Sequence, residues 1–137
     1  MAFLVVLLAF LTWTAVDTLN RANERDRVIS SVHLVAAAIA TFVHDTGHWP
    51  SSVEELAKVG PISIGPYTWP ADRAEVLPRV AVDYDVKLSD VVKTTKDRFR
   101  AVRPADPKQE SVSTKNAFDR ILPVVRAAVD ADPMMPR

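Results

Sequence analysis

Few residues in this chain have the type and spacing to do chemistry. Asp45-Thr46-Gly47 has the composition of an aspartic-protease triplet, and histidines stand at positions 33, 44 and 48. Protease chemistry of that kind needs two carboxylates sharing a proton, each on a loop after a strand. Asp45 instead follows apolar positions at helical spacing and precedes His48-Trp49-Pro50, the pattern of a helix end. His44 and His48 are four apart, but Gly47 and Pro50 interrupt the helix that would align them. His33 and His44 share a helical face about 16 Å apart, too far for one metal ion. Asp83, Asp85 and Asp90 invite a calcium reading, yet Asp83 and Asp85 alternate along a strand-like run and suit its solvent face. Three glycines, at 47, 60 and 65, cannot build a phosphate loop, and no serine has a nucleophile-elbow context. Cysteine is absent, which removes disulfides, thiolate metal sites and a cysteine nucleophile. The expectation is a non-enzymatic chain with no catalytic, cofactor-binding or metal-ligating residues. The 17 basic side chains balance the 17 acidic ones, so nothing indicates nucleic acid as a partner.

The elements that carry these residues fall into two unlike parts. No charge occurs in residues 1–16, and all ten prolines and three glycines lie at or after Gly47. Met1 to Val16 is apolar except for Thr12 and Thr14, and as a helix it spans about 24 Å against roughly 30 Å of bilayer hydrocarbon. Extended through Thr18, Leu19 and Asn20 it reaches the far interface, with Trp13 near the headgroups. A secretory signal would need a basic start and a small-residue cleavage site, but nothing basic precedes Phe3 and helical periodicity continues past Asp17. A buried core helix, apolar on every face, would need a larger protein around it. Asp17–Arg21 and Asn23–Arg27 are i,i+4 neighbours that suit a solvated stretch. Val28, Ile29, Val32, Val35, Ala36, Ile39, Ala40, Phe42 and Val43 then form one stripe, opposite Ser30, His33, Ala37, Thr41 and His44. Residues 1 to about 45 are therefore expected as one helix of about 65–70 Å.

Gly47 and Pro50 end that helix. Ser51 and Ser52, each three residues before a glutamate, give overlapping capping boxes for a short helix over 53–58. Residues 60–72 read as a loop or irregular excursion. Val80, Val82, Tyr84, Val86 and Leu88 alternate with polar partners and predict a half-buried strand. Residues 91–95 and 98–103 predict a hairpin extending the same sheet. Thr114 is placed to cap a last helix carrying Phe118, Ile121, Leu122, Val125 and Val129, with Pro123 predicting a kink or a division in two. The tail 132–137 is expected to fray. The fold class is thus α+β: a long N-terminal helix with a small antiparallel sheet packed on its C-terminal part. Residues 1–27 form a protruding helix, and residues 28–137 the globular domain.

This arrangement, with the segment AAIATFVHDTGHWPSSVEELAKVG, resembles the type IV pilins and the pseudopilins of type II secretion. Their N-terminal helix ends in a stretch of the form D-x-G-x-[YW]-P-[ST]-S-x-x-x-L. Asp45, Gly47, Trp49, Pro50, Ser51, Ser52 and Leu56 stand in those places. The resemblance implies a pilin-like fold and a structural subunit of a bacterial pilus or pseudopilus filament. Such a subunit starts in the inner membrane and ends in a periplasmic or cell-surface filament, in contact with copies of itself or other pilin subunits. Met1, Phe3, Val5, Leu7, Leu8, Phe10, Leu11, Asp17 and Arg21 are then the assembly helix, and Met1 the methylatable first residue of the mature form. Val5 replaces the family's usual glutamate, as in certain minor pseudopilins at filament tips. A bitopic inner-membrane protein with a periplasmic binding domain is the alternative; a membrane-anchored hydrolase has no constellation to support it.

Overall fold

The computed structural model describes residues 2–109 and 114–131. Its dominant element, α1, runs unbroken over Ala2–Thr46, about 67 Å at 1.5 Å per residue. Gly47 closes it with φ at +77°, and the Gly47 amide donates to Val43 O at 2.8 Å. A left-handed residue at this point turns the chain out of the helix. The remaining order is α2 (Val53–Leu56), β1 (Ile62–Ile64), β2 (Tyr67–Trp69), α3 (Arg73–Val76) and a 3-10 turn (Leu77–Arg79). Next come β3 (Val80–Val82), α4 (Leu88–Lys93), β4 (Val102–Pro104), a second 3-10 turn (Pro107–Gln109) and α5 (Lys115–Ala131).

The architecture is α+β, a long N-terminal helix with small antiparallel sheets packed on its C-terminal part. The strands form two separate pairs. β1 meets β2 with Ile62 opposite Trp69, and β3 meets β4 with Val82 opposite Val102. Leu34, Val35, Ile39 and Val43 of α1 are fully buried, and they share one core with Leu56, Trp69, Val76, Val102, Ile121 and Val125. Because α5 and both sheets pack on α1, its buried surface is broader than one stripe. Ala37, placed on the polar side by periodicity, is also buried.

Several local expectations are corrected. The strand predicted from Val80 stops at Val82, because Asp85 takes φ +58° and turns the chain. Leu88 then opens α4, burying Leu88 and Val91. Their i,i+3 spacing, with half-buried Val92, outweighs the strand alternation. The predicted 91–95/98–103 hairpin therefore does not form, and β4 pairs with β3 instead. The supposed loop over 60–72 contains the β1–β2 hairpin, turning at Gly65-Pro66. Gly65 has φ +58°, and a Cβ there would lie 2.7 Å from Ser30 Oγ, so both conformation and closeness to α1 require glycine. Pro123 does not divide α5. It sits on the exposed side, where the carbonyl freed by its missing amide can meet water. The Thr114 hydroxyl goes to Phe99 O at 3.4 Å, while its carbonyl accepts the Phe118 amide. The tail 132–137 lies outside the described residues.

Candidate assembly interface

The first half of α1 is bare. Phe3, Val5, Leu8, Phe10, Leu11 and Trp13 are all more than half exposed, and Leu7 is 44% exposed. They surround the helix, so no face of this stretch is suited to water. The few polar groups here look after themselves. Thr12 donates to Leu8 O at 2.9 Å, Thr14 to Leu11 O at 2.9 Å, and Thr18 to Thr14 O at 2.9 Å. With backbone groups bonded along the helix and hydroxyls bonded back to it, the stretch tolerates surroundings without water. α1 is long and apolar enough to cross a membrane. Asp17 and Arg21 form an i,i+4 ion pair at 3.0 Å on this same helix. Met1 lies outside the described residues.

At the other end, the family-like stretch forms one hydrogen-bonded corner. The buried Trp49 side chain donates its indole N–H to Asp83 O at 2.8 Å. Pro50 is fully buried, and its carbonyl accepts the Asp85 amide at 3.3 Å. Of the two possible capping boxes, the structure selects Ser52 and Glu55. Ser52 Oγ accepts the Glu55 amide at 3.3 Å, and the Glu55 carboxylate accepts the Ser51 amide at 2.9 Å. That second bond holds the Glu55 carboxyl below its ordinary range. Leu56 is fully buried, and its carbonyl accepts the Trp69 indole N–H at 3.0 Å. The motif residues thus join the end of α1 to both sheets.

Asp45 stands apart from this network. Its carboxylate lies 3.1 Å from exposed His44 Nδ1, while the Gly47 and His48 amides go to Val43 O and Thr46 Oγ1. The Asp45 carboxylate therefore takes neither of these turn amides; the threonine beside it takes the His48 one.

No family model, curated protein or solved structure matches the chain.

The remaining chemical candidates are dispersed. His33 sits half-buried on α1, and burial together with the Arg120 charge lowers its pKa from the ordinary 6.5. His48 packs edge-on against Phe42, with ring centroids 5.2 Å apart. Asp83 pairs with Arg103 at 3.0 Å. Among the described residues, no three His, Asp or Glu side chains gather to hold a metal ion. One feature escaped the sequence: Arg79 reaches across 55 positions to Glu24, at 3.0 Å from Nε to Oε1. An isolated arginine in a turn carries no signal of so distant a partner.

Proposed function

We propose that this chain is a structural subunit of a bacterial type IV pilus-like or pseudopilus filament. Its work is assembly and not catalysis. The subunit waits in the inner membrane on its apolar helix, with the globular part in the periplasm. It then joins copies of itself or related subunits, whose helices bundle into the filament core. The observation that carries this reading is the stretch from Phe3 to Val16. It is exposed and apolar on all sides, and its hydroxyls are satisfied within the helix. Such a surface is stable in lipid or among other helices, and costly in water. The corner from Trp49 to Leu56 supports the same reading, because it fixes the globular part on the last third of the helix.

The test is removal of residues 1–20, which spares Glu24 and the buried half of α1. The shortened protein should be a soluble, folded monomer, while the full chain forms filaments visible by negative-stain microscopy. A charge at the centre of the apolar stretch, as in Leu7→Glu, should abolish filaments. If the full chain stays monomeric in membranes and Leu7→Glu changes only insertion, the bitopic alternative replaces this one.

A further inference from the structure

The position of the globular part along α1 locates a second surface, and the inference rests on the membrane-held state just proposed. Asp17 is paired with Arg21, and the Thr18 hydroxyl is bonded to Thr14 O. The helix from Ala2 to Asn20 rises about 28 Å, close to the roughly 30 Å of bilayer hydrocarbon. Glu24 stands only about 6 Å further along the axis. At that level the globular part already meets the helix. Glu24 and Val28 of α1 line one groove with Glu75, Pro78, Arg79 and Asp106. Burial of Val28 and the Glu24–Arg79 pair hold these parts together. The headgroup layer of one leaflet is about 5–8 Å deep, so it reaches this level.

We propose that α3, the Leu77–Arg79 turn and the Asp106–Gln109 turn rest on lipid headgroups. The globular part is then docked on the membrane and not carried on a free stalk. The exposed side chains on these segments carry both signs: Arg73 and Lys108 stand beside Glu75 and Asp106. A surface offering both cations and carboxylates suits the phosphate and ammonium of zwitterionic headgroups. It lacks the basic excess that anionic lipid would select.

The absence of cysteine allows single-label variants of the full chain: Leu7→Cys, Lys108→Cys and Ala127→Cys, the last near the far end of α1. Each carries one fluorophore in phosphatidylcholine vesicles, with a quencher on either the headgroup or the acyl chain. The headgroup quencher should dim the label at 108 several-fold more than the label at 127, with or without added phosphatidylglycerol. The acyl-chain quencher should dim the label at 7. Equal dimming at 108 and 127, with the label at 7 still quenched, overturns the docking and leaves the membrane-held state intact. Dimming at 108 only with phosphatidylglycerol overturns the zwitterionic assignment. An unquenched label at 7 overturns both.

Discussion

Arg79 grips Glu24 through two nitrogens, Nε at 3.0 Å and a second guanidinium nitrogen at 3.5 Å, while a third donates to Glu75 O. The pair joins the last turn of the exposed half of α1 to the globular part, and its arginine is mostly buried. Glu24 is partly solvated, so the charge pair itself is worth about 0.5 kcal/mol. Glu24→Gln should lower stability by that amount, and Arg79→Ala by about 1–2 kcal/mol because stem packing and the Glu75 bond go too. Thermal unfolding of the full chain in detergent, arranged as a double-mutant cycle, checks both. Equal losses for the two variants would contradict this account.

Gly47 and Gly65 share a positive φ but differ in surroundings. A Cβ at Gly47 meets nothing within 4 Å, whereas one at Gly65 meets Ser30 Oγ at 2.7 Å. Gly47→Ala should cost about 1 kcal/mol from conformation alone. Gly65→Ala should cost about 2–3 kcal/mol, since α1 must give way as well. Ser30→Gly should recover part of the second loss and none of the first in denaturant melts.

On the proposed filament reading, the Asp17–Arg21 pair within α1 makes Asp17 a poor substitute for the fifth-position glutamate usual in type IV pilins. Asp17→Asn should leave filament yield nearly unchanged, because an exposed i,i+4 pair contributes about 0.3–0.5 kcal/mol. Loss of filaments in Asp17→Asn, with Arg21→Gln harmless, would show instead that Asp17 meets a neighbouring subunit.

Ser31 is fully buried in α1, and its hydroxyl has no partner. Ser31→Ala removes an unsatisfied polar group from the core without leaving a sizeable cavity. Stability should rise by about 1 kcal/mol, read as a shift in denaturation midpoint at constant slope.

His33 makes stability depend on pH in a defined direction. Its folded pKa lies below the ordinary 6.5, so the unfolded chain binds more protons between the two values. Its contribution is fully present above 6.5 and is lost as pH falls toward the folded value. His33→Gln should flatten the melting-temperature profile on the mildly acid side. Arg120→Gln should flatten it partly, because burial is the larger cause and the Arg120 charge the smaller.

The sequence by itself determined α1, its bare start and its stop. A stretch without breakers up to Gly47, an uncharged run over 1–16 and the overlapping capping boxes at Ser51 and Ser52 are local signals, settled within a turn or two of helix, although only the structure chose Ser52. It also indicated an α+β fold, because the periodicity of Val28–Val43 required something to pack on it. Only the tertiary structure decided where the later elements lie. Val80–Leu88 alternates like a strand, but the Asp85 amide is taken by Pro50 O and the Trp49 indole by Asp83 O. Those bonds join residues more than thirty positions apart, and they bend the chain so that Leu88 and Val91 bury as a helix. The Gly65 turn against Ser30 and the Glu24–Arg79 grip are of the same kind. Each depends on a partner that no local pattern names, so its energy exists only once the chain has folded around α1.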